Sequence, residues 1–187
     1  MEKNRCAWCG NDPLYVEYHD TEWGVPVYDD AKLFEFLILE TFQAGLSWIT
    51  VLKKRENFRE AFDNFDYKII ATYNDAKFTE LINNAGIIRN KLKVKATISN
   101  ALAFMEVQKE FGSFSKYIWG FVNGRPIKNK AKSLDEVPAT TELSDKISKD
   151  LKKRGFKFVG STVIYAHMQA TGMVNDHVTD CFRYNEV

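Results

Sequence analysis

Hydrophobic positions are densest between Leu33 and Leu52, where the chain is apolar on nearly every face of a 3.6-residue period, the pattern of a helix buried on all sides. Asp29 or Asp30 can cap its start, which predicts a helix over Ala31–Gln43. Gly45 offers a stop, and Ser47 can cap a second helix running through Trp48, Val51 and Leu52 toward Phe62; the alternative is one long kinked helix. Beyond it the pattern predicts short helices at Tyr67–Tyr73 and Ala76–Asn84, and a long one from Ile87 to Glu110 with Ile88, Leu92, Ile98, Leu102 and Met105 as its apolar positions. An aromatic helix at Ser115–Val122 follows, then a polar stretch, Asn123–Thr141, that holds Pro126 and Pro138 and reads as a surface loop. A last pair, Glu142–Arg154 and Ser161–Thr171, is joined by Gly155–Gly160. Residues 1–28 carry turn signals at Gly10–Pro13 and Gly24–Pro26 and look irregular. With no repeat, no low-complexity tract and no sustained alternation, the expected fold class is all-α, a single domain over 1–187.

Composition narrows the function classes. The 187 residues are 45% hydrophobic and 14% aromatic, enough for one compact domain or two lobes sharing a core. A net charge of +1 is not the footprint of a strongly basic nucleic-acid binder, so any such contact must come from local patches. Lys53-Lys54-Arg55 and the run from Arg89 to Lys95 are the candidates. The first residues lack the apolar centre of a signal peptide and no stretch reaches about 18 uncharged apolar residues, so a soluble cytoplasmic protein with no membrane partner is expected. Three cysteines, two of them three apart, suggest metal ligation rather than disulfides in a reducing compartment.

Three constellations could carry chemistry. Glu40 is the one carboxylate near the centre of the most apolar run, and an unpaired buried charge costs several kcal/mol or shifts its pKa until neutral. It either caps a turn or meets an arginine, or it is the floor of a pocket with Trp48 as a wall; Trp8, Tyr15, Tyr18 and Trp23 could complete a slot for a flat ring. Cys6, Cys9 and His19 lie in the arm, and His177 and Cys181 are four apart, a spacing that puts both on one face of a helical turn. Two ligands from each end would staple an irregular arm to the body; Cys6-Cys9-His177-Cys181 is a plausible tetrahedron too. His167, mid-helix in apolar company, reads as a hydrogen-bonded core residue. Finally, basic residues lead into Gly155-Phe156-Lys157-Phe158-Val159-Gly160, and Gly160-Ser161-Thr162 opens the next helix with free N–H groups for an anion such as phosphate.

Arg5–Trp8, Asp12–Tyr15, Tyr18–Pro26, Gln43–Arg55, Leu151–Gly160 and Val174–His177 together resemble the 3-methyladenine DNA glycosylase I family, a branch of the helix-hairpin-helix DNA glycosylase superfamily. The resemblance implies a two-lobed helical fold whose hairpin, about 142–171, grips double-stranded DNA while the damaged base is flipped into a cleft. It implies one structural zinc on Cys6, His19, His177 and Cys181, leaving Cys9 outside. It carries Glu40, Tyr18 and Trp48 over as pocket residues, Glu40 in the catalytic role, with Trp8, Tyr15 and Trp23 as walls. Gly155, Lys157, Gly160, Ser161 and Thr162 become the DNA contacts. The expected activity is excision of 3-methyladenine, released as the free base by a monomer. Asn175 stands where many members of the wider superfamily keep a catalytic Asp, and no Lys ends the hairpin, which implies a monofunctional enzyme without strand cleavage. The competing classes are a zinc-stabilised DNA-binding module without chemistry and a zinc hydrolase with an open metal site.

Overall fold

The structure, a computed structural model of the chain, describes residues 3–187; the first two residues of the expected 1–187 domain lie outside the described residues. Helix α2 (Asp30–Gln43) runs through the centre, with Leu33, Phe34, Leu37, Ile38 and Phe42 out of contact with solvent. Asp29 caps its start by accepting from Lys32 N. At its other end Gly45 takes φ +83° and breaks the helix, and no single long helix continues. The segment toward Phe62 is instead two short helices, α3 (Trp48–Leu52) and α4 (Arg55–Ala61), because Lys53 and Lys54 form a turn between them. Phe42, Phe58, Phe62 and Phe65 form a continuous aromatic pile beneath the corner, with centroid spacings of 4.7–6.1 Å.

The arm is more regular than its turn signals suggest. A 3-10 turn at Ala7–Cys9 is followed by α1 (Pro13–Thr21), which Asp12 caps by accepting from Leu14 N, with Pro13 at the first helical position. The arm then runs along the body: Gly24 N donates to Gln169 O and Val27 N to Thr171 O.

After α5 (Tyr67–Ile70) and α6 (Asp75–Asn83) comes the long helix α7 (Lys91–Phe111). It starts four residues later than Ile87, since Asn90 caps it through Leu92 N and Lys93 N. Its buried stripe is Val94, Ala101, Phe104 and Val107; Leu92 and Leu102 are exposed, because the 3–4 spacing that reaches α2 and α5 runs through the other residues. Helix α8 (Phe114–Gly120) follows. The loop expected over Asn123–Thr141 contains a two-residue strand β1 (Ile127–Lys128), paired in parallel with β2 (Val174–Asn175), and a 3-10 turn at Leu134–Glu136. Two-residue strands leave no alternation to read in a sequence.

Helices α9 (Glu142–Lys153) and α10 (Ser161–Ala170) close the chain's helical part. A capping box between Thr141 and Ser144 starts α9. Helix α10 lies against α2, where a ring nitrogen of the buried His167 sits 3.1 Å from Leu33 O. Among the described residues no helix is long and apolar enough to cross a membrane.

Candidate functional site

Glu40 lies on α2 one turn before its end, 3% exposed, and its Oε2 has no hydrogen-bond partner. It neither caps a turn nor meets an arginine: Arg55 is held by Glu22 through two bonds of 2.7 Å. Burial alone pushes its carboxyl up to about 8. Glu40 faces a cavity of about 210 Å³.

The arm supplies one wall of that cavity, with Trp8 5.0 Å from Tyr15 and 4.9 Å from Trp23 between ring centroids. Tyr18, from α1, and Trp48, at the start of α3, form another, 5.4 Å apart. Burial first, then the neighbouring Glu40, raises the Tyr18 hydroxyl well above its ordinary range, so it is a proton donor at neutral pH. The indole N–H groups of Trp8 and Trp48 are buried without partners. Two unpaired donors and one unpaired acceptor around one apolar space are what a polar-edged flat ring would satisfy. Sequence reading missed Gln43, Leu134, Val137, Gln169 and Asp176, which line the same cavity. Leu134 and Val137 are apolar residues in a polar loop, the one signal that could have flagged them.

The second centre is the set Cys6, His19, His177 and Cys181, all buried, whose ligand atoms lie within 4.8 Å of one another. Cys6 Sγ and Cys181 Sγ are each 3.5 Å from His177 Nδ1, and Cys181 Sγ is 3.5 Å from His19 Nε2. A zinc ion about 2.3 Å from sulfur and about 2.0–2.1 Å from nitrogen, in a tetrahedron, gives edges of roughly 3.5 Å. The outer hydrogen bonds orient both rings: His19 Nδ1 meets Asp20 Oδ1 at 2.8 Å and His177 Nε2 meets Trp23 O at 3.0 Å, leaving one lone pair of each facing the sulfurs. Arg5 in turn clamps Asp20. Burial holds both imidazoles below their ordinary range, His177 down to about 4, and lifts the Cys6 thiol to about 12, a group that a cation would deprotonate. Cys9 stands apart, its thiol turned to Cys6 O at 3.2 Å. His177 and Cys181 do not share a helical turn as their spacing suggested; a turn with Cys181 N bonded to Val178 O brings them together.

At the hairpin, Gly155 takes φ +94° and Phe158, 39% exposed, takes φ +55°. Lys157 is exposed, but its N–H donates to Asn100 Oδ1 at 2.7 Å while Asn100 Nδ2 donates to Lys157 O, so α7 clamps the turn. Gly160 is the N-cap of α10 with no side-chain cap, Ser161 Oγ lies 2.7 Å from Ser144 Oγ, and Thr162 is exposed. In the patch Lys53-Lys54-Arg55 each cation has a partner within the chain: Lys53 pairs with Asp12 at the surface, Lys54 donates to Ala85 O and Gly86 O, and Arg55 pairs with Glu22. Within the other patch Lys93 is buried, its ammonium donating to Phe42 O and Ala44 O at the end of α2.

The family model described as methyladenine glycosylase matches residues 8–184. The DNA-3-methyladenine glycosylase 1 of Escherichia coli is 51% identical over 180 residues, 96% of each chain. The DNA-3-methyladenine glycosylase of Haemophilus influenzae is 50% identical over 177 residues, 95% of this chain and 96% of its own. Among solved structures, one describing 3-methyladenine recognition by the 3-methyladenine DNA glycosylase I of Staphylococcus aureus has a TM-score of 0.93 at 35% identity, covering 97% of both chains.

Proposed function

This chain belongs to the methyladenine glycosylase family, and from that premise we propose that it is a monofunctional DNA glycosylase that excises 3-methyladenine from alkylated double-stranded DNA and leaves an abasic site. The observation that carries this is the cavity itself: five aromatic rings around a buried carboxyl without a partner. A nucleotide bearing 3-methyladenine is cationic, so its base is both a good leaving group and the missing counter-charge for Glu40. Flipping places the ring among Trp8, Tyr15, Tyr18, Trp23 and Trp48, at an unstacking cost of a few kcal/mol. Glu40 accepts from the amino group of the base and, ionised by the cation's approach with its proton passing to solvent, favours the cationic base over neutral adenine. Heterolysis of the C1′–N9 bond sends the electron pair to the base, which leaves neutral. Water adds to C1′ and its proton goes to solvent.

The hairpin residues Gly155, Lys157, Gly160, Ser161 and Thr162 hold the DNA backbone at the start of α10. Cys6, His19, His177 and Cys181 would hold one zinc ion, and with all four donors supplied by the protein it would contribute folding energy by tying the arm to the segment after β2 and would not supply a nucleophile. We further propose a cytoplasmic monomer. Single-turnover incubation with methylated duplex DNA tests the reading: free 3-methyladenine without strand nicking is expected. No base release at excess enzyme would return the chain to a non-catalytic DNA-binding module.

A further inference from the structure

Asp176 lines the same cavity as Glu40 and is equally hidden, 2% exposed, but its surroundings are the opposite. Its Oδ2 accepts from the Tyr165 hydroxyl at 2.7 Å and from Gln169 Nε2 at 2.8 Å, and its Oδ1 accepts from Asn129 Nδ2 at 2.6 Å. Three neutral donors, from α10 and from the residue after β1, all point at one carboxylate, and no described cation pairs with it. Burying an anion this way is costly unless its hydrogen bonds are built in advance, and a carboxylate so held needs no reorganisation when a positive charge appears nearby.

Glycosidic cleavage creates such a charge. Before the bond breaks, the positive charge is on the methylated base, where Glu40 faces it. As the C1′–N9 pair departs with the base, the base becomes neutral and the charge passes to C1′ and the ring oxygen of the deoxyribose. A carboxyl that reads the base cannot by itself follow the charge to the sugar.

We propose that Asp176 is a further catalytic residue of this reaction, its fixed carboxylate facing the deoxyribose and stabilising the oxocarbenium charge left when the base departs. The proposal rests on the 3-methyladenine reading above. Water then adds its oxygen to C1′ and releases a proton to solvent, and Asp176 is unchanged at the end of the cycle. Its hydrogen bonds also tie β1 to α10, so a purely structural role must be separated from an electrostatic one.

The test uses the zinc-loaded protein, with metal content measured for every variant. Asp176→Asn keeps the shape and removes the charge. Single-turnover release of 3-methyladenine is expected to fall roughly 10- to 100-fold. Wild type is expected to bind duplex with a cationic pyrrolidine abasic analogue at least about tenfold tighter than duplex with the neutral tetrahydrofuran analogue, and Asp176→Asn to lose that preference while keeping its tetrahydrofuran affinity. Wild-type release rates or an intact preference in Asp176→Asn would overturn the role of Asp176. If that variant does not fold, Glu40→Gln decides: keeping the cation preference supports Asp176, and losing it overturns the proposal. Wild-type protein that releases no 3-methyladenine would instead overturn the functional reading itself.

Discussion

At the scale of the residue, Glu40 is a carboxyl stored in its neutral form. Its pKa is 4.5 in a free chain and about 8 when folded, so the folded state binds the proton more tightly. Below pH 4.5 the burial of Glu40 costs no ionisation energy; the cost grows from there to about pH 8 and reaches a few kcal/mol above it. Glu40→Gln is therefore expected to melt above wild type at pH 9, with the gain gone by pH 5, in thermal denaturation across that range. The same variant should slow single-turnover excision about 100-fold, since it keeps the shape but not the charge. An excision rate equal to wild type would remove Glu40 from the chemistry. Residues like this one are legible in a sequence because their type conflicts with their surroundings: a carboxylate in an apolar run, or Trp and Tyr crowded into an arm. Gln43, Gln169 and Asp176 conflict with nothing nearby, and only the folded chain shows that they share a cavity.

At the scale of the element, a helix end and a hairpin are each held by one distant side chain. Lys93 donates to Phe42 O and Ala44 O at 3.0 and 2.7 Å, taking carbonyls that the end of α2 leaves free, close to where Glu40 and Trp48 meet. Lys93→Met, which keeps the stem and removes the donors, should lower stability by about 1–3 kcal/mol in denaturant titration. Asn100 does the same for the hairpin through Lys157 N and O. Asn100→Ala should weaken duplex binding while leaving affinity for free 3-methyladenine, read by tryptophan fluorescence, as in wild type. Equal loss of both would mean that the hairpin and the cavity are not separable. The periodicity of α2, α9 and α10 is legible to within a residue or two, whereas Lys93 reads as part of a cationic run and Asn100 carries no local signal. A helix pattern records which face is buried and carries no mark of a single polar clamp reaching another element.

At the scale of the whole molecule, the Cys6, His19, His177 and Cys181 cluster, which could hold a metal ion, joins segments that are otherwise at the two ends of the chain. It sits directly behind the aromatic wall: His177 Nε2 meets Trp23 O, and the ring of Trp8 is 5.3 Å from that of His19. Stripping the ion with a chelator should thus lower the melting temperature and abolish binding of 3-methyladenine together, followed by thermal melts and fluorescence titration. Cys9→Ser should keep one metal ion per chain, since its thiol faces Cys6 O, while His19→Ala should lose it. The pairing of the arm with the segment after α10 is legible from residue types, but the turn that presents His177 and Cys181 is not, because a four-residue spacing fits a helix and a tight turn alike.

That long-range closure also orders events during synthesis. Cys181 is made 162 residues after His19, by which time α2, α7 and the hairpin have already been synthesised. A growing chain that stops before residue 177 holds Glu40, Trp48 and the Gly155–Gly160 turn, yet lacks His177, whose ring meets Trp23 O in the aromatic wall beside them. Such a fragment is expected to release no 3-methyladenine, so the ability to tell a lesion from a normal base is complete only once residues 177–181 have left the ribosome and joined Cys6 and His19.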